Sequence, residues 1–132
     1  MKITKLDHIA IAVRSLENAL LVYQDALGIE CAGREHVPGE AVNVAFLPVG
    51  GTRIELLEPS DPGSVLARSI EGRGEGLHHV CFEVDDLHGA LEELRARGCR
   101  VLDEREGAGG TRVAFVHPKS TGGVLIELRQ TS

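Results

Sequence analysis

Tryptophan is absent from this chain of 132 residues, and the other aromatics number four: Tyr23, Phe46, Phe82 and Phe115. Basic residues are also in the minority, 14 against 20 acidic ones, for a formal net charge of −6. A protein that neutralises phosphates and stacks bases needs the reverse on both counts, so no nucleic-acid partner is expected. No apolar run approaches the ~20 residues that span a bilayer, so no membrane partner is expected either. The N-terminal MKITKLDHIAIAV lacks the apolar block and small-residue cleavage site of a signal peptide, and the expected location is cytoplasmic. Cys31, Cys81 and Cys99 are odd in number and far apart, which argues against a disulfide framework and against a CxxC zinc or redox site. They read as reduced, mostly buried thiols.

What is present is the balance of a folded globular protein, 42% hydrophobic and 26% charged, at a length that suits one compact domain. Sixteen glycines cluster near 38–39, 50–51, 72–76, 107–110 and 122–123 and punctuate short strands. Residues 3–13 alternate as a strand, and Ser15 then serves as N-cap to a helix of about three turns carrying Leu16, Ala19, Leu20, Tyr23 and Leu27 up to Gly28. Three strands follow, at 29–37, 42–49 and 52–57, the last two joined at Gly50-Gly51. This first half reads βαβββ.

The same order restarts at Leu77. LHHVCFEV alternates as a strand, and Asp86 opens a helix with Leu87, Ala90, Leu91 and Leu94 on one face, ended by Gly98. Placing His8 on His79, an offset of 71, also places Ile9 on Val80, Val13 on Val84, Leu16 on Leu87, Ala19 on Ala90 and Leu20 on Leu91. An offset of 72 superposes Glu55 on Glu127 within two copies of IEL, and the two Gly-Gly pairs hold that same offset. The chain is therefore an internal duplication: module 1 at about 3–58, a linker at about 59–76 with a short helix at 64–70, and module 2 at about 77–130. The expected fold class is α+β. Two tandem βαβββ modules that cannot each bury both faces of a small sheet would pack into one curved, barrel-like unit around a cleft.

Two pairs of ligand-type residues fall at equivalent positions, His8 with His79 and Glu55 with Glu127. Period-2 geometry puts Ile9, Ile11 and Val13 on one face and His8 with Ala10 and Ala12 on the other; Glu127 likewise opposes Ile126 and Leu128. A single histidine at a strand start is more often structural, and a single glutamate in a strand is more often solvated. Two symmetric pairs flanked by apolar residues are better explained as a mixed N/O set for a divalent Zn, Co, Ni, Mn or Fe, with positions left open for substrate. The other histidines carry weaker signals. By alternation His78 points away from the face of His79, and His36 and His88 read as solvated. His117, Pro118 and Lys119 end a strand, where Lys119 could meet a phosphate as readily as water.

The strings DHIAIAV, IELLEP, LHHVCFEVDD and FVHPKSTGGVLIEL closely resemble the methylmalonyl-CoA epimerases, members of the vicinal-oxygen-chelate superfamily that also contains glyoxalase I, extradiol dioxygenases and fosfomycin-resistance enzymes. The resemblance spans essentially the whole chain. It implies His8, Glu55, His79 and Glu127 as ligands to one divalent metal ion per chain, Co, Mn, Ni or Zn with cobalt favoured, together with a CoA thioester substrate, Lys119 as a substrate-binding residue, and a homodimer. The implied reaction interconverts the (R) and (S) epimers of methylmalonyl-CoA by removing and returning the proton between thioester and carboxylate, with the metal as electrophile. Epimerisation needs a base on each face of the planar intermediate. Glu127 is the implied base on one side. The family's other base, a Glu on the third strand of module 1, falls by an ungapped count on Asn43, which cannot take a proton, and Glu40, Glu55 or a metal-bound water would have to substitute.

Two rival readings follow from the same resemblance. A glyoxalase I-like lactoylglutathione lyase would use the same four ligands on a glutathione hemithioacetal. A non-catalytic member would only bind a small ligand, which the intact ligand set argues against.

Overall fold

The computed structural model describes residues 1–106 and 111–131, with the backbone alone at position 103. The glycine-rich stretch at 107–110 lies outside the described residues. The fold is mixed α+β, with eight strands among the described residues: β1 (Ile3–Ala12), β2 (Gly33–Val37), β3 (Val42–Val49), β4 (Thr52–Pro59), β5 (Gly76–Val84), β6 (Val101–Glu106), β7 (Arg112–Val116) and β8 (Ile126–Gln130). The helices are α1 (Leu16–Leu20), continued by a π-helical segment (Leu21–Ala26), then α2 (Val65–Arg73), α3 (Leu87–Ala96) and a 3-10 turn (Pro118–Ser120). No helix among the described residues is long and apolar enough to cross a membrane.

The three helices start where side-chain caps allow. Ser15 accepts a hydrogen bond from Asn18 N, Ser64 from Ala67 N and Asp86 from Gly89 N, each satisfying one of the orphan donors of a first turn. Past the first helix, Gly28 adopts φ 78°, a conformation that stops the helix and that a residue with a Cβ rarely takes.

The chain divides by contact into two compact units, Ile9–His78 on one hand and Met1–His8 with His79–Ser132 on the other. The boundary falls inside β1. In the Ile9–His78 unit the strand order is β2-β3-β4-β1, where Ile9 to Ala12 pair in parallel with Ile54 to Leu57. One face of these strands, with Ala10, Ala12, Val42, Val44 and Leu57, packs on Leu66 and Ile70 of α2. The opposite face, with Ala45, Leu47 and Leu56, packs on Leu16 and Leu20 of α1. Burying a leucine of this kind contributes about 1.5–3 kcal/mol.

In the other unit the order is β1-β5-β8-β7-β6. The first half of β1 runs beside β5, where Thr4 Oγ1 donates to the Glu83 carbonyl at 3.2 Å, and β5 pairs in parallel with β8. Val84, Ala114, Val116 and Leu128 pack on Leu87, Ala90 and Leu91 of α3. Strands β2 and β6 end these orders, so neither closes on itself.

Three elements differ from expectation. Strand β2 begins at Gly33 rather than at 29, because Ile29 and Cys31 are drawn back onto the helix: Ile29 N donates to the Tyr23 carbonyl and Cys31 N to Gln24 Oε1. The first helix is α-helical for one turn and then π-helical, with Leu27 N bonded to the Val22 carbonyl five residues back. The linker supplies core rather than mere connection, since Leu66 and Ile70 of α2 are almost fully buried.

Candidate metal centre

Strands β1, β5 and β8 each deliver one side chain to the same point. His8 and His79 are buried, and their Nε2 atoms lie 3.1 Å apart. Oε1 of Glu127 lies 3.4 Å from the first and 3.2 Å from the second. The strand pattern explains the convergence: Glu127 is the cross-strand partner of Cys81, two residues beyond His79, so alternation puts both ligand types on the face opposite Leu128 and the α3 core.

The triangle has the dimensions of a coordination shell. Ligand atoms about 2.0–2.2 Å from one divalent ion are separated by roughly 3.0–3.4 Å in tetrahedral or octahedral geometry. Two imidazoles and one carboxylate leave further positions for substrate oxygens.

The electrostatics keep these groups in usable states. Burial raises the pKa of Glu127, but the two imidazoles beside it, His79 and then His8, outweigh it and hold the carboxyl well below the usual carboxylate range. Burial, reinforced by the charges of Glu127 and Asp7, pushes the Cys81 thiol far above its ordinary value. Asp7, His8 and Cys81 also lie close enough to hold an ion. In that group the Asp7 carboxylate is already engaged by His8 Nδ1 and by Arg129.

Asp7 is the contact that sequence reasoning missed. His8 Nδ1 donates to Asp7 Oδ2 at 2.8 Å, and the same oxygen lies 3.3 Å from Nη1 of Arg129. The available signals were an acidic residue adjoining His8 and an arginine two residues beyond Glu127, on its face. Farther out on that face, Phe115 sets its ring edge-on to His79 with centroids 6.2 Å apart, and Arg105 lies over Phe115 at 5.4 Å.

The remaining predicted residues are carried by other elements. Glu55 lies in the Ile9–His78 unit, opposite Ala10 on β1, and Arg53 donates to its Oε2 through Nε at 2.9 Å and Nη2 at 2.7 Å. The register repeats the duplication: Glu55 faces the residue two after His8, as Glu127 faces the residue two after His79. Asn43 sits on the other side of its strand. Phe46 pairs with Glu55 and Val44 with Leu57, so Val42, Val44 and Phe46 share the face of Glu55. Asn43 instead bonds Glu58 Oε1 through Nδ2 at 3.0 Å and His36 Nδ1 through Oδ1 at 2.8 Å.

Glu40 is exposed in the turn before β3. Lys119 is exposed in the 3-10 turn, its backbone N–H donating to His117 Nδ1 at 3.0 Å. His36 and His88 are exposed as expected, the latter paired with Glu92 one helical turn on.

A family model described as the Glyoxalase/Bleomycin resistance protein/Dioxygenase superfamily matches residues 7–115. The ethylmalonyl-CoA/methylmalonyl-CoA epimerase of Cereibacter sphaeroides is 42% identical over 132 residues, covering 97% of this chain and 98% of the relative. The crystal structure of methylmalonyl-CoA epimerase from Mycobacterium tuberculosis superposes with a TM-score of 0.87 at 36% identity, covering 98% of this chain and 89% of that one. A methylmalonyl-CoA epimerase in complex with methylmalonyl-CoA and NH4+ superposes with a TM-score of 0.88 at 32% identity, over 99% of this chain and 96% of that one. With agreement of this extent in both sequence and backbone, the chain belongs to the methylmalonyl-CoA epimerase family, within the glyoxalase/bleomycin resistance protein/dioxygenase superfamily.

Proposed function

We propose that this protein is a metal-dependent methylmalonyl-CoA epimerase, and that the observation carrying this reading is the triangle of His8, His79 and Glu127 in a chain 42% identical to an epimerase. His8, His79 and Glu127 hold the ion, with Glu55 as fourth ligand by its equivalence to Glu127 in the duplicated register. A divalent cation, cobalt by family resemblance, would supply Lewis acidity toward the thioester and carboxylate oxygens of the substrate. A CoA thioester substrate with Lys119 on its phosphates, and a homodimeric state, belong to the same reading and rest on the family resemblance.

Proton transfer falls to the chain's own carboxylates. Glu127 is held ionised, the state in which it accepts the α-proton on one face of the substrate. The second group does not come from β3, because Val42, Val44 and Phe46 occupy the face that carries Glu55. Glu55 and Glu40 are the carboxylates of that unit assigned to the second transfer, and Glu55→Gln and Glu40→Gln separate them: the variant lacking the base retains exchange from one epimer and loses it from the other.

The deciding experiment is proton NMR of the metal-loaded protein with (R)- or (S)-methylmalonyl-CoA in deuterated water, with methylglyoxal plus glutathione in parallel. Loss of the α-proton signal, abolished by a chelator, is the expected result. Turnover only of the glutathione adduct would replace this reading with a lactoylglutathione lyase; no reaction with either would leave a binding protein.

A further inference from the structure

We propose that Arg129 and Asp7 form a positioning pair that fixes the ring and tautomer of His8, so that Nε2 is presented as a ligand. The inference rests on the reading of His8, His79 and Glu127 as a metal centre. A ligating imidazole must be neutral at the coordinating nitrogen, and the hydrogen bond made by its other nitrogen decides which tautomer is present. Here Nδ1 donates to Asp7 Oδ2 at 2.8 Å, which leaves the lone pair on Nε2, the atom that faces His79 and Glu127.

Asp7 itself needs a partner that holds it in place. It is only 4% exposed, and a buried carboxylate is retained where it is paired. Lys5 approaches it at 3.8 Å but is half exposed, so water screens that contact. Nη1 of Arg129 at 3.3 Å is the better-buried counter-charge. Nε of Arg129 is also buried and has no hydrogen-bond partner, an unfavourable placement that its charge pairing with Asp7 offsets.

The internal duplication isolates the pair further. At the offsets that superpose the ligands, Asp7 falls on His78 and Arg129 on Leu57, so neither member is a relic of the repeat. The pair distinguishes His8 from His79, and it spans 122 residues to do so.

The test measures Co2+ affinity by chelator competition in wild type, Asp7→Asn, Arg129→Met, Arg129→Lys and the Asp7→Asn/Arg129→Met double variant. It also reads the His8 tautomer by 15N–1H correlation in metal-free protein at pH 8. Asp7→Asn should weaken binding about 10–100-fold, and Arg129→Met about tenfold with most of the loss recovered in Arg129→Lys. Because Arg129 acts through Asp7, the double variant should bind within about twofold of Asp7→Asn alone. His8 should carry its proton on Nδ1 in wild type and lose that preference in Arg129→Met. An unchanged affinity in Arg129→Met, full additivity in the double variant, or a wild-type His8 protonated on Nε2 would each overturn the proposal. If wild type binds no Co2+, the metal centre itself is refuted, and the tautomer measurement still judges the pair. Should Arg129→Met fail to fold, Arg129→Lys and the wild-type tautomer decide the question.

Discussion

At Glu127 two effects oppose each other. Burial favours the neutral acid, while the two imidazoles beside it, His79 and His8, favour the carboxylate and win, so the folded-state pKa lies below the ~4.3 of an unfolded glutamate. A group depressed in this way contributes its stability in full above the unfolded value and loses it as pH falls toward the folded one. The melting temperature of metal-free protein should therefore drop as pH is lowered from about 6 to 3, and Glu127→Gln should flatten that dependence. Equal slopes in the two proteins would refute the assignment. The convergence of His8, His79 and Glu127 was legible in the sequence because alternation and duplication both mark these residues. Asp7 and Arg129 were not, because their pairing depends on where residues 122 positions apart meet.

At the scale of elements, the strands that carry Glu55 and Glu127 also hold the helices of their modules. Leu16 N, at the start of α1, donates to Oε2 of Glu58 at the end of β4, at 2.8 Å. Leu87 N, at the start of α3, donates to Oε1 of Gln130 at the end of β8, at 2.7 Å. The two contacts are equivalent under the duplication, and each caps a helix N-terminus from outside the helix. Gln130→Ala should cost about 1 kcal/mol, as loss of a cap does, and lower the melting temperature by roughly 3–5 °C. A thermal denaturation curve unchanged from wild type would show the contact to be dispensable. The same geometry explains the placement of Asn43. An ungapped count from Glu55 finds the residue, but pairing with Glu58 sets it on the α1 side of β3. Helix starts at Ser15 and Asp86 were readable locally, whereas the capping role of Ser64, the π-helical turn and the late start of β2 arise from contacts that no periodicity reports.

For the molecule as a whole, the division into units has a measurable consequence. His8, His79 and Glu127 all belong to the unit formed by Met1–His8 and His79–Ser132. A metal at 100 times its Kd should stabilise the folded protein by about 2.7 kcal/mol, which a chelator reverses. Amide exchange should slow most in β5 and β8 and least in β2. A uniform or reversed pattern would count against this location of the centre. The sequence by itself determined the α+β class, the repetition of one βαβββ pattern, the helix starts at Ser15 and Asp86 and the shared face of His8, His79 and Glu127, because each is written in periodicity or in repetition at a constant offset. Tertiary structure alone decided that the unit boundary runs through β1, that α2 fills the core, that Asn43 faces away from Glu55, and that Asp7 and Arg129 support His8. These depend on which strand lies beside which and at what register, and residues distant along the chain carry no local pattern that encodes it.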